Sequence, residues 1–167
     1  LIFLPLWAPL ALVIAIGIKL ASPGPVIFRQ ERVGYRGRRF QCLKFRSMHC
    51  NADSEVHKEH LTRLMKSGEP MVKLDGERDP RVIRGGEFLR ASGLDELPQL
   101  LNVLRGDMSL VGPRPCTVYE YENYSAWHKQ RFNVLPGITG LWQVTGKNKT
   151  SFDQMIALDV RYGETLS

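Results

Sequence analysis

Residues 92–115 read SGLDELPQLLNVLRGDMSLVGPRP, and the architecture is read outward from them. The apolar run Leu97–Leu104 predicts a helix closed by Gly106. Asp95 suits its N-cap, Glu96 and Leu97 open it, and Pro98 falls in the first turn, where amides have no intrahelical acceptor. Two readings of the adjacent carboxylates stay open. They can simply cap the helix and complement its dipole. Alternatively they hold a divalent cation, since neighbouring carboxylates raise each other's proton affinity unless a cation intervenes. A hard ion such as Mg²⁺ takes one or two carboxylates and completes its shell with phosphate oxygens or water. Asp107 and the rigid turn Gly112-Pro113-Arg114-Pro115 lie close behind. A guanidinium fixed on such a turn can grip phosphate with paired donors, and a solvated surface Arg114 is the competing reading.

The flanking chain predicts an α+β protein: a mostly helical, compact catalytic domain with a short β-hairpin, carried on an N-terminal membrane helix. Val26–Phe28 and Arg39–Phe45 read as strands joined by a turn at Gly34–Gly37. Asn51–Ser67 reads as an amphipathic helix ended by Gly68, and 70–86 as loop. Tyr119–Phe132 predicts one helix, Pro136–Gly140 a turn, Leu141–Val144 a strand and Ser151–Tyr162 a last helix.

Leu1 to Ile18 carries no charge. Eighteen apolar residues reach the lower limit for a membrane span, but Pro5 and Pro9 each remove an amide donor. A segment that enters, bends near Ala8-Pro9 and returns to the same face is expected, and a straight span shortened at its amino end competes with it. The expected division is a membrane-embedded helix at 1–21 and a catalytic domain at 22–167. Basic residues follow the apolar run, which disfavours a signal peptide and puts Lys19 and its successors at cytoplasmic headgroups.

The net charge of +6 is local. Arg29, Arg32, Arg36, Arg38, Arg39, Lys44 and Arg46 face a single Glu31 between Phe28 and Met48. A basic patch after an apolar segment suits a membrane surface or a phosphorylated ligand, and no reading motif for nucleic acid accompanies it. Lys44 and Arg46 alternate with Phe45 and so share one face of a strand. Arg90, five residues before Asp95, is within reach of the same place. For all three a solvated surface role is the alternative. Cys42, Cys50 and Cys116 lack CxxC spacing and read as free thiols. His57 and His60 have no evident third ligand, and no GxxxxGK[ST] or GxGxxG is present.

Taken in order, the apolar start ending in SPGPVIFRQERVG, then KFRSM, LRASGLDELPQLLNVLRGDMSLVGPRP and LPGITGLWQVTGKNK resemble the bacterial polyprenyl-phosphate glycosyl-1-phosphate transferases, the monotopic phosphoglycosyl transferases. The resemblance implies transfer of a sugar 1-phosphate from a UDP-sugar to polyprenyl (undecaprenyl) phosphate with release of UMP. That step starts surface glycan or exopolysaccharide synthesis at the cytoplasmic face of the bacterial inner membrane. It implies Asp95 as nucleophile, forming a phosphosugar–aspartyl intermediate, and Glu96 as its helper toward Mg²⁺ or the proton. Lys44, Arg46, Arg90, Arg114 and Lys147 become phosphate or nucleotide contacts. The implied partners are the UDP-sugar, the polyprenyl phosphate and membrane lipids, without nucleic acid; a homo-oligomer stays open. Ala8-Pro9 departs from the family's Ser-Pro helix break. The reading from another class is a non-enzymatic adaptor that binds anionic lipid through the Arg29–Arg46 patch.

Overall fold

The computed structural model describes residues 4–50, 62–65, 67–70, 79–145 and 149–165, with side chains from Trp7 onward. Most of the expected helix at Asn51–Ser67, together with His57, His60 and Lys147, lies outside them. The chain divides into two units.

The first unit comprises described residues within 4–29, 43–50 and 79–98. Its leading element is α1 (Leu4–Ala21), an α-helix that runs through Pro9 without interruption. Ala11, Ile14, Ile18 and Ala21 recur at helical spacing and pack with Val26, Ile27, Phe45, Ile83, Leu89, Leu94 and Leu97. Leu12, Val13, Ile16 and Leu20 are exposed, from 51% to 84%. The helix is thus apolar on its covered and uncovered faces alike. No helix among the described residues is long and apolar enough to cross a membrane.

After α1, strand β1 (Ile27–Val33) and strand β2 (Arg39–Phe45) form the expected hairpin. Residues following β2 turn back against a later segment. The His49 amide donates to the Arg81 carbonyl at 2.8 Å and the Ile83 amide to that of Ser47 at 3.1 Å. Helix α2 (Gly86–Ser92) starts there, and its first residue must be glycine: a Cβ on Gly86 would lie 2.4 Å from the Ser47 carbonyl oxygen. Only the flanking glycines, Gly85 and Gly93, mark this short helix in the sequence.

The second unit comprises described residues within 30–42, 62–70, 99–145 and 149–165. It holds helix α3 (Gln99–Leu104), strand β3 (Ser109–Val111), strand β4 (Cys116–Thr117), helices α4 (Val118–Glu122) and α5 (Ala126–Lys129), strand β5 (Gly137–Thr139), and helices α6 (Leu141–Thr145) and α7 (Phe152–Thr165). Strand order is β2-β1-β4 in one sheet, with Arg32 opposite Thr117 and Val33 opposite Cys116 in antiparallel register. β3 and β5 pair in parallel, Ser109 with Gly137 and Val111 with Thr139. Val33, Cys116, Tyr124, Phe132, Trp142, Phe152, Met155 and Ile156 form the core.

Three expectations are corrected here. The single helix over Tyr119–Phe132 is three pieces: α4, α5 and a 3₁₀ turn at Gln130–Asn133. The capping box of Ser125 with His128 cuts it, reciprocally satisfying amides at a new helix start, while that of Thr117 with Glu120 opens α4. Leu141–Val144 is helical rather than extended. Only Trp142 of that run is buried, so one anchor rather than alternation decides it, and periodicity over four residues cannot tell the two apart. Finally, Pro136–Gly140 contains strand β5, where a turn was expected.

Candidate functional site

The carboxylate pair is placed by glycine. α2 ends at Gly93, whose φ of +73° suits no L side chain well. A 3₁₀ turn over Leu94–Glu96 follows, and α3 begins only at Gln99. Asp95 therefore does not cap α3; it sits inside the 3₁₀ turn, with Pro98 ahead of the helix. Leu94 and Leu97 pack on the first unit's core, while Asp95 itself is 9% exposed.

Lys44, near the end of β2, donates from Nζ to Glu96 Oε1 at 2.7 Å. Both side chains are largely covered, 20% and 28% exposed. Burial pushes the Asp95 carboxyl above its ordinary range. Lys44 and Arg90 oppose that rise, and the neighbouring Glu96 charge adds to it. Asp95, Glu96, Lys44 and Arg90, four of the predicted site residues, thus act on one another within one unit. Asp95 and Glu96 offer the hard oxygens that Mg²⁺ prefers, and a cation would relieve the charge that their adjacency concentrates. No group of three or more His, Cys, Asp or Glu with metal-site geometry occurs among the described residues. A metal held by this pair would complete its shell from water and phosphate.

Arg46 behaves differently from the solvated or phosphate-gripping side chain that strand alternation suggests. It is 3% exposed. Its Nε donates to the Pro25 carbonyl at 2.6 Å, Nη1 to Ser22 Oγ at 2.9 Å, and Nη2 to the Ser22 carbonyl at 2.9 Å.

Arg114 belongs to the second unit. Four backbone groups of its turn are tied down. The Gly112 amide donates to Thr139 O at 2.8 Å, and Pro113 O accepts from the Gly137 amide at 2.9 Å. Arg114 O accepts from Arg131 Nη2 at 3.1 Å, and Pro115 O from Arg32 Nη1 at 3.2 Å. Arg131 is buried and ion-paired with buried Asp159 at 2.5 Å. A Cβ on Gly112 would lie 2.4 Å from Leu135 O, and one on Gly137 2.1 Å from Gly112 N. The glycines read in the sequence as turn residues let two backbones touch. The turn is held by these bonds, and the Arg114 side chain is exposed on it. Burial lowers the proton affinity of Arg32, and the nearby Arg114 charge lowers it further.

Asp107, noted as company for the carboxylate pair, has local work. It accepts from Asn102 Nδ2 at 3.2 Å, and its amide donates to Asn102 O at 3.0 Å. Sequence reasoning missed Arg32, Arg131 and Asp159, because nothing in the local pattern distinguishes a buried arginine from a solvated one. Cys42 and Cys116 are buried and Cys50 exposed, and none of the three is in a disulfide; burial pushes the Cys116 thiol up to about 12.

The family described as bacterial sugar transferase matches residues 1–167, and the chain belongs to that family. It is 46% identical over 170 residues to the UDP-glucose:undecaprenyl-phosphate glucose-1-phosphate transferase of Caulobacter vibrioides, covering 97% of this chain and 58% of that protein. It is 51% identical over 140 residues to the galactosyl transferase CpsE of Streptococcus agalactiae, covering 83% of this chain and 30% of CpsE. Against the exopolysaccharide production protein ExoY of Rhizobium meliloti it is 38% identical over 162 residues, covering 97% of this chain and 72% of ExoY. The chain thus spans less than two thirds of the first two of these relatives.

Proposed function

We propose that the protein transfers a sugar 1-phosphate from a UDP-sugar to undecaprenyl phosphate at the membrane surface, as the names of its relatives suggest. The observation that carries this reading is Asp95, a nearly buried carboxylate on a glycine-delimited turn, beside Glu96 held by Lys44. An Asp95 oxygen attacks the sugar-bearing phosphorus of the UDP-sugar. The bond from that phosphorus to the bridging oxygen breaks, and UMP leaves with its electron pair. A phosphate oxygen of the lipid then attacks the same phosphorus and displaces Asp95, giving a lipid diphosphate sugar. Two displacements replace one encounter between two anions.

Lys44 and Arg90 keep the carboxylate ionised against burial and offset phosphate charge. Glu96 orients Lys44 and serves the proton of the acceptor phosphate. Arg114 and Lys147 are proposed as phosphate or nucleotide contacts. Mg²⁺, if bound by Asp95 and Glu96, would supply further charge neutralisation. The exposed apolar residues of α1 and the basic residues after it support a lipid-facing anchor on the cytoplasmic side.

The test is nucleoside monophosphate release from a panel of UDP-sugars by detergent-solubilised protein with Mg²⁺ and undecaprenyl phosphate. Wild type should release UMP with a preferred sugar, and Asp95→Asn should not. Membrane binding without release by a folded, full-length protein would favour the lipid-binding adaptor.

A further inference from the structure

We infer that Arg46 is a positioning residue that locks the carboxyl end of α1 to the strand carrying Lys44, and not a contact for substrate phosphate. The inference rests on the reading of Lys44 and the Asp95-Glu96 pair given above. Its geometry lies within one unit. Ser22 is the first residue after α1, and its amide still donates to Ile18 O at 3.0 Å. Its carbonyl is one of the acceptors a helix leaves unsatisfied at this end, where the macrodipole also favours a cation. Arg46 supplies both needs from another part of the chain. One guanidinium spans Ser22 O, Ser22 Oγ and Pro25 O, so it holds both ends of the Ser22-Pro23-Gly24-Pro25 turn.

The turn is shaped to receive it. Gly24 has a φ of +118°, and a Cβ there would lie 3.7 Å from Arg46 Cζ and 2.7 Å from Cys50 Sγ. Ser22 Oγ also meets His49 Nδ1 at 3.3 Å, and the Arg46 amide donates to Val26 O at 2.9 Å. With 3% exposure and its donors directed at backbone and Ser22, Arg46 has no free face for an anion.

The consequence for chemistry runs along three consecutive residues. Arg46 holds the end of α1, Phe45 packs with Ile14 and Ile18 of α1, and Lys44 holds Glu96. How α1 seats on this unit thereby fixes where the Lys44 ammonium stands. Loosening Arg46 should disturb the carboxylate pair without removing any group that touches nucleotide.

Arg46→Lys retains the charge but cannot bridge Ser22 and Pro25, because an ammonium lacks the planar fork. Ser22→Ala is the milder companion: it removes one acceptor and leaves the rest of the turn. In detergent-solubilised full-length protein, hydrogen exchange of amides in residues 20–26 should rise by about tenfold in Arg46→Lys and less in Ser22→Ala. For UMP release, kcat should fall by about tenfold while KM for the UDP-sugar stays within about twofold. Unchanged exchange over 20–26 in both variants would overturn the inference, as would a tenfold rise in KM with kcat preserved. The exchange measurement needs no turnover. If wild type releases no UMP, the proposed function falls while the exchange arm still decides what Arg46 holds.

Discussion

Replacing Lys44 by Met keeps the bulk of the side chain and removes the ammonium that Glu96 binds at 2.7 Å. With the partners 20% and 28% exposed, this is neither a solvated pair, worth under about 1 kcal/mol, nor a dry one. A hydrogen bond between charged groups in such partial cover is worth about 1.5–3 kcal/mol. If that energy holds the pair in its reactive arrangement, kcat/KM for UMP release should drop roughly 10- to 150-fold, at about 1.4 kcal/mol per decade. A second signature follows from sign. Burial already holds Asp95 above its ordinary value of 3.8, and Lys44 is the largest influence pulling it down. The attacking form is the carboxylate, so activity rises with pH through this group. Lys44→Met should move the acid limb of kcat to higher pH. Glu96→Gln, which removes a like charge, should move the Asp95 limb to lower pH. The assay is UMP release against pH in detergent, with unfolding monitored alongside. A Lys44→Met enzyme with full activity and an unmoved limb would refute the role assigned to this ion pair.

Other expectations bear on the remaining parts. Asp95→Asn should lower UMP release by a thousandfold or more, as about expected for loss of a nucleophile. It should also raise Tm at pH 7: the folded carboxyl is harder to ionise than the unfolded one, so its ionisation costs stability as pH rises through both values. That gain should vanish as pH falls toward 3.8, and calorimetry across pH would read it. Arg131→Met strands buried Asp159 and should cost about 3–5 kcal/mol in denaturant unfolding; adding Asp159→Leu should recover most of it, but not the anchor on Arg114 O. Gly112→Ala forces a Cβ to 2.4 Å from Leu135 O and should cost about 1–3 kcal/mol. Arg114→Lys should raise KM for the UDP-sugar by about tenfold, since a single ammonium cannot pair two phosphate oxygens.

Much of the local order is written in short patterns. The hairpin follows from two apolar-rich runs around Gly34–Gly37, and β2 spans Arg39–Phe45 as the run predicts. α7 (Phe152–Thr165) is signalled by Ser151 three residues before Gln154, and in the fold the Ser151 amide donates to Gln154 Oε1 at 2.9 Å. The Thr117-Val118-Tyr119-Glu120 pattern marks the start of α4 in the same way, and Ser125-Ala126-Trp127-His128 carries the second start that splits the helix expected over Tyr119–Phe132. The pair Asp95-Glu96 and the family likewise stand out in the linear chain, because adjacent carboxylates between Gly93 and Pro98 are chemically conspicuous wherever they fall.

Burial is what the linear chain could not assign. Lys44, within β2, and Arg46, just past its end, are two apart in the sequence and look equivalent there. Yet Lys44 meets Glu96, 52 residues later, while Arg46 meets the end of a helix 24 residues earlier. Arg32 and Arg131 fall among many basic residues, and only the fold makes them braces for the turn that carries Arg114. Periodicity and turn chemistry act over a few residues and are carried by the sequence itself. Which charges lose their water depends on what distant segments cover them, and that is settled only when the chain has folded.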